Sequence, residues 1–481
     1  MERHNTVLSL PTLRGLVGKL VYTSGSHAFS RSILKGRRYA QDRWGSFIES
    51  RSWGWIMLMI VAGVVGGWLL LHNARPTLSA GSIVVTTTDD ELNSDGDCSL
   101  REAIQAVNTQ SPVDACPTGS GNDTITLPAG VYTLNIAGAG EDNNTTGDLD
   151  IFATASAVTR TLIIQGNGAS TTVVDGNQLD RVFHLVARAP VRFQDDLLVL
   201  RDLTVRNGRL PAATREGGAG LLSWGRLELY NVIIENNATT GTSSSDVGGG
   251  FCIGCGTGTG SGYLEHVIVR NNAAQRGGGV FSNRPLTITA SSIISNTAFT
   301  GGAIVNYGAL TLTNVTVSDN TASSYLTGGI VHSAGSLSIL NSTISHNTNY
   351  GISFDAPATL KNTLLANNIP GKNCYVSTSI STPPTSQGYN LSNDNSCASL
   401  LMAGGDQNNV DPQLGPLQNN GGFTPTRALA LTSPAVNAGT NSDCPATDQR
   451  GVARPQDGTC DIGAYEFQVQ RVHLPLVVKQ S

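Results

Sequence analysis

The chain has 481 residues, 55 of them Gly, with 14% charged and 6% aromatic residues and a formal net charge of −5. So few charges and so many glycines exclude helical bundles and suit many short strands joined by tight turns. The charge balance implies neither a nucleic-acid partner nor a membrane-surface partner, and the length suits several ordinary domains or one long solenoid.

Residues 1–52 carry Arg3, Arg14, Lys19, Arg31, Lys35, Arg37, Arg38, Arg43 and Arg51 against Glu2, Asp42 and Glu49. The run 53–71 then continues for 19 residues without a charge, about the ~20 that cross a bilayer core as a helix. Trp53, Trp55 and Trp68 lie near its ends, where indoles favour the interface. The segment reads as a transmembrane or signal-anchor helix behind a basic cytoplasmic N-terminus. Everything after a linker at 72–82 is then expected at the cell surface or outside the cell. Leu78-Ser79-Ala80 is a poor small-x-small cleavage site, so a retained anchor and a cleaved signal both stay open.

Residues 83–120 read as an N-terminal cap. Ser99 and Glu102 have capping-box spacing for an amphipathic helix carrying Leu100, Ala103, Ile104 and Val107, which would cover the open end of a solenoid. A second reading of this stretch places Glu91, Asn93, Asp95, Asp97, Ser99 and Glu102, with Gly96 sixth, at calcium-loop spacing. Calcium is the one cofactor the sequence suggests. Glu91 stands where Asp is usual, and the cap already claims Glu102.

All eight cysteines lie beyond the apolar run, as an oxidising compartment requires. In a solenoid, residues close in sequence are close in space. The expected pairs are therefore Cys98 with Cys116, Cys252 with Cys255, Cys374 with Cys397 and Cys444 with Cys460, each adding ~3 kcal/mol. Cys252-Ile-Gly-Cys255 could instead begin a zinc site or a redox pair, although no second CxxC or His pair completes it.

From 198 to 368 a unit of 21 to 35 residues repeats on the anchors Asp202, Asn231, His266, Ser291, Asn314, Asn341 and Asn362. Three residues later stand Val205, Ile234, Val269, Ile294, Val317, Ile344 and Leu365. Two residues before stand Leu200, Leu229, Leu264, Leu312, Ile339 and Leu360, with Thr289 the exception. Five residues after come Asn207, Asn236, Asn271, Asn296, Asp319, His346 and Asn367. Alternate residues of a strand share a face, and apolar parity switches across the anchor, so a corner lies there and a second near the +5 position. Gly-Gly pairs such as Gly277-Gly278 then introduce a third short strand. Stacked coils of three strands make an all-β, right-handed parallel β-helix over 121–400. The corner asparagines Asn207, Asn231, Asn236, Asn271, Asn296, Asn314, Asn341, Asn362 and Asn367 are expected to form hydrogen-bonded ladders.

These repeats resemble pectate-lyase-like β-helices and polymorphic outer-membrane protein repeats. Gly96-Asp97-Cys98-Ser99-Leu100-Arg101-Glu102-Ala103-Ile104 resembles the CSLREA segment that begins exported bacterial β-helix proteins. Asp411-Pro412-Gln413-Leu414-Gly415-Pro416-Leu417, Asn420-Gly421-Gly422, Ser433-Pro434-Ala435, Asp448-Gln449-Arg450-Gly451 and Cys460-Asp461-Ile462-Gly463-Ala464 resemble the choice-of-anchor Q domain, here assigned to 401–467 before a tail at 468–481. The resemblances imply a bacterial surface or extracellular protein.

For chemistry, the carboxylates Asp195 and Asp196, with Asp202 and Arg206, are the residues an enzyme of this class would use. Adjacent strand residues face opposite sides, however, which argues against Asp195 and Asp196 sharing a site. Arg206, Glu235 and Arg270 share one position in successive coils, a column that could grip an anionic sugar but reads first as a solvated salt-bridge ladder. His266 and His346 fall at corners, as structural residues. Between 200 and 370, eight Arg and one Lys balance four Asp and four Glu, with no cationic surplus to hold an acidic polysaccharide. The expectation is a non-catalytic adhesive, spacer or carbohydrate-contacting module with a glycan or cell-surface partner. A polysaccharide lyase or glycoside hydrolase is the alternative.

Overall fold

The computed structural model describes residues 80–152, 160–186, 196–211, 217–256, 260–323 and 327–468. The basic segment 1–52, the apolar run 53–71, Asp195 and the tail from 469 lie outside the described residues. Among the described residues no helix is long and apolar enough to cross a membrane.

Leu197–Arg201 runs extended with Leu198 and Leu200 fully buried, and Asp202 then turns the chain with a φ of 53°. Thr204–Arg206 follows, and Asn207 turns it again with a φ of 57°. The two-residue strand Arg209–Leu210 and a loop lead to Leu221–Ser223, which closes the coil. Stacking pairs each strand in parallel with its equivalent, for instance Leu200 with Leu229 and Val205 with Ile234. Among the described residues two eleven-stranded sheets and one nine-stranded sheet result, enclosing one aliphatic core. They are called here the first sheet (through Leu197–Arg201), the second (through Thr204–Arg206) and the third (through Leu221–Ser223). This is a parallel β-helix, and the right-handed crossover rule for parallel strands is consistent with it.

The coil departs from three strands. Short strands such as Arg209–Leu210, Ala238–Thr239 and Thr297–Thr300 build a fourth, five-stranded sheet after the second corner. The two or three residues after that corner are still extended and find partners in the next coil. The third sheet begins tightly. Gly277 has a φ of 64°, and a side chain on Gly278 would run into the carbonyls of Thr297 and Gly302 in the next coil.

The coil expected to turn at Ser291 is shifted by one residue. Its left-handed residues are Ala290 and Ser295, and Val269 pairs with Ile293. Ile288 then takes the place that Thr289 seemed to break, pairing with Leu264 and Leu312. Backbone geometry set the corner here although Ala is a poor left-handed residue, because neighbouring coils hold the chain in register.

The same shift exposes the ladder that matters. Asn207, Asn236, Asn271 and Asn367 are the left-handed corners themselves, and Asn236 and Asn271 are exposed. The residue after each corner points inward instead. Asn237, Asn272, Asn296, Asn320, Asn347 and Asn368 form a buried file in which each donates from its backbone N and from Nδ2 to the Oδ1 of the next, at 2.9–3.1 Å through Asn347. Asn368 Nδ2 ends it on Asn373 Oδ1 at 2.8 Å. At the first corner the expected ladder is partial. Asn231 bonds Asp202 and Asn362 bonds Asn341, whereas Asn314 Nδ2 donates to the Thr447 carbonyl.

The helix Leu100–Thr109 caps the N-terminal end, with the Ser99/Glu102 capping box formed in both directions. Arg101, fully buried, holds Asp90 through Nε at 2.6 Å and the carbonyls of Gly147 and Asp148 through its terminal nitrogens. The first strand of the first sheet, Ala80–Val84, starts inside the stretch read as linker and pairs with Asn122–Thr126. The four disulfides are Cys98–Cys116, Cys252–Cys255, Cys374–Cys397 and Cys444–Cys460, so Cys252-Ile-Gly-Cys255 is a closed bridge.

At the other end the chain folds back. Leu414–Gln418 and Thr426–Leu429 form an antiparallel hairpin, and the segment from 424 to 464 lies on the outside of the second sheet. Gln449 bonds Ser292 and Thr316, Arg427 reaches Ser318 and Asp319, and the Ala464 amide donates to Thr343. The column Arg206, Glu235, Arg270 changes to Ile294, Ser318, Ser345 and Ala366 where this cover begins, because charged side chains there would be buried.

Replacing Asn320 removes the acceptor of two Asn296 donors and the donors to Asn347, Ile293 and Ser318. Each buried orphan costs about 1–3 kcal/mol. Asn320→Ala is expected to lower the unfolding free energy several times more than Asn271→Ala, by ~3 kcal/mol or more against ~1 kcal/mol. Denaturant unfolding followed by circular dichroism measures both.

Candidate functional site

The outward residues of the first sheet lie one and three positions before each corner. In successive coils they are Val199 and Arg201, Glu228 and Tyr230, Tyr263 and Glu265, then Thr287 and Thr289, with Thr311 and Thr313 next. Parallel register sets Glu228 beside Tyr263 and Tyr230 beside Glu265, so tyrosines and carboxylates alternate like a checkerboard. The strands are ~4.8 Å apart, close enough for these side chains to touch across coils.

They do so. The Tyr230 and Tyr263 rings are 5.8 Å apart and tilted by 46°, and the Arg201 guanidinium lies 4.9 Å from the Tyr230 ring centre. Tyr230 donates its hydroxyl to Glu228 at 3.0 Å, and Tyr263 donates to Glu265 at 3.1 Å. Burial, and then the bond to Glu228, push Tyr230 up to about 12, while burial and Glu265 raise Tyr263. Both phenols therefore remain neutral donors at ordinary pH. Arg226 stands at one side of Glu228, and a shallow trough of ≈ 450 Å³ runs over Arg226, Glu228, Tyr230, Ser261, Tyr263 and Thr287. Flat aromatic rings, carboxylate acceptors and a guanidinium on a rigid sheet are groups that contact the C–H faces and hydroxyls of a sugar.

Of the residues expected of an enzyme, Asp195 lies outside the described residues, and Asp196, Asp202 and Arg206 are not gathered. Asp202 sits at its corner, with Oδ1 accepting from Asn231 and Oδ2 from Gln165. Arg206 bonds Asp175 at 2.7 Å. Asp196 lies just before its strand rather than on it, and accepts from the Arg160 amide at 2.8 Å. Arg270 pairs with Glu235 at 2.7 Å, so the column holds two separate ion pairs, Arg206 with Asp175 and Arg270 with Glu235. His266 and His346 are left-handed corners. Sequence reasoning missed Arg201, Arg226, Glu228, Tyr230, Tyr263 and Glu265. Their parity before each corner is the signal that marks them as outward-facing.

In the suggested calcium loop, the carboxylates of Glu91, Asp95 and Asp97 converge to within 4.8 Å of one another. Desolvation and mutual repulsion raise Glu91 and Asp97. Asn93 turns its amide nitrogen toward them, donating to Glu91 at 2.6 Å and Asp95 at 3.1 Å. Glu102, the intended twelfth-position ligand, is buried, with Oε1 accepting from the Asn93 amide and Oε2 from the Ser99 amide, both at 3.0 Å. Its oxygens are engaged by these amides, so Glu102 stands apart from the cluster of Glu91, Asp95 and Asp97.

No family model matches the chain, and no curated protein matches it. Among solved structures the pectate lyase Pel9A is similar, with a TM-score of 0.44 and 12% identity over 81% of this chain and 97% of that one.

Glu102→Ala orphans the buried Ser99 amide and frees the more exposed Asn93 amide, and is expected to destabilise the fold by ~1–3 kcal/mol. Asp95→Asn relieves repulsion at an exposed site and should leave the melting temperature unchanged or slightly raised. Thermal unfolding of both variants distinguishes a cap residue from a cation ligand.

Proposed function

We propose that the chain is an exported β-helix protein that holds a glycan against the Tyr230 and Tyr263 face without cleaving it, as an adhesive or spacer at the bacterial surface. The observation that carries this reading is the checkerboard of tyrosines and glutamates on the first sheet, continued by Thr287, Thr289, Thr311 and Thr313. Nearly equal numbers of basic and acidic residues in the repeats favour a neutral or weakly charged glycan over a polyanion. Four disulfides, the basic segment before 53–71 and the resemblance at 96–104 support export. Asp202 and Arg206 are tied into coil-to-coil bonds, which weighs against the lyase or hydrolase alternative.

The test is a binding and cleavage screen of neutral, pectic and uronic polysaccharides, with and without added calcium. The chain should retain at least one glycan and release no new reducing ends or unsaturated products. Tyr230→Ala and Tyr263→Ala should each weaken binding about tenfold, ~1.4 kcal/mol. Cleavage products would establish the enzyme reading instead.

Export has its own test. Protease added to intact cells should degrade the part after residue 80, and full protection behind an intact membrane would overturn the topology.

A further inference from the structure

The outer face of the third sheet opens with two buried polar residues in register, Asp150 on Leu149–Ile151 and His184 on Phe183–Leu185. A loop from the first coil folds over them and brings in Asp142, whose side chain is 52% exposed. His184 Nδ1 lies 3.3 Å from Asp150 Oδ1 and 3.5 Å from Asp142 Oδ1, and the three ligand atoms all fall within 4.8 Å of one another. A tetrahedral ion with bonds of ~2.1 Å spaces its ligands about 3.4 Å apart, which both measured edges match.

The surroundings fix the groups in place. Asp150 Oδ2 accepts the Asn144 amide at 3.0 Å, while Oδ1, buried, accepts no hydrogen bond and faces His184 and Asp142. Asn144 is itself held by Nδ2 on the Arg101 carbonyl, so the loop is anchored to the cap helix. Trp224 meets the His184 ring edge-on at 5.2 Å, and Leu222 is the next residue along the column. One side of the cluster is thus apolar, and Asp142 marks the side toward solvent.

We propose that Asp142, Asp150 and His184 bind one divalent transition-metal ion, with zinc as the probe, and that the ion ties the first coil's loop to the third sheet. The imidazole ligand selects such an ion over calcium or magnesium, which prefer oxygen alone. The amide on Asp150 Oδ2 supplies the outer hydrogen bond that orients a metal-binding carboxylate. The site is separate from the Tyr230 face and from the Glu91, Asp95 and Asp97 cluster.

The experiment uses the full-length chain, purified in detergent with any affinity tag removed and treated with chelator. Zinc is titrated against a chromophoric competitor, bound metal is counted by elemental analysis, and the melting temperature is followed. The expected result is one zinc per chain with a raised melting temperature. Asp150→Asn and His184→Gln should each weaken binding on the order of 100-fold. Asp142→Asn, at an exposed position that the core does not need, should weaken it about tenfold with the apo melting temperature unchanged. Asp95→Asn should bind as the parent does. No zinc uptake by the parent chain, or equal affinity in Asp142→Asn and His184→Gln, would overturn the proposal.

Discussion

A stack of parallel coils must turn sharply at each corner, and each turn carries backbone amides into the interior where no strand partner waits. The file from Asn237 to Asn368 answers that constraint, since a single Oδ1 accepts both the amide and the side chain of its equivalent in the coil before. Unpaired buried amides are costly, and an aliphatic residue of similar size could not satisfy them. The left-handed residue just before each file member supplies the change of direction, and small deviations such as Ala290 are tolerated because the next coil fixes the register. Core packing, sheet pairing and the outward faces all depend on this alignment.

The two ends of a solenoid expose what the middle hides, and here they are treated differently. At the start, Arg101 and Glu102 turn adjacent residues of one short helix to separate tasks, one holding Asp90 and two carbonyls of the first coil, the other closing the helix cap. At the far end the chain reverses and lays polar side chains along the second sheet, so that a surface otherwise open to water becomes an interior with its own apolar cluster around Leu364, Leu429 and Ile462. That leaves the first sheet as a long face with little covering it among the described contacts, and the tyrosines, glutamates and threonines stand there.

Rigidity links this architecture to function. Side chains that rise from paired strands keep their spacing, and Tyr230 and Tyr263 are further held by Arg201, Glu228 and Glu265. Under the proposed function, a face built this way would lose little freedom when a glycan settles on it, which favours recognition by many modest contacts. The Asp142, Asp150 and His184 cluster differs from this face in being recessed and convergent.

Local pattern alone determined a good deal: the period, the parity switch at each corner, the capping box at Ser99 and Glu102, and the neighbouring cysteine pairs. All of these are relations between residues near in sequence, and strand alternation or helical spacing encodes them directly. Only tertiary structure decided that Asn237 rather than Asn236 belongs to the buried file, because a left-handed corner reverses the facing of the residue that follows it. Likewise the cover on Ser292, Thr316 and Thr343 joins residues more than a hundred positions apart, and His184 meets Asp150 because loops of unequal length return the strands to register. Those loop lengths carry no periodic signal, so the residues they bring together become visible once the coils are stacked.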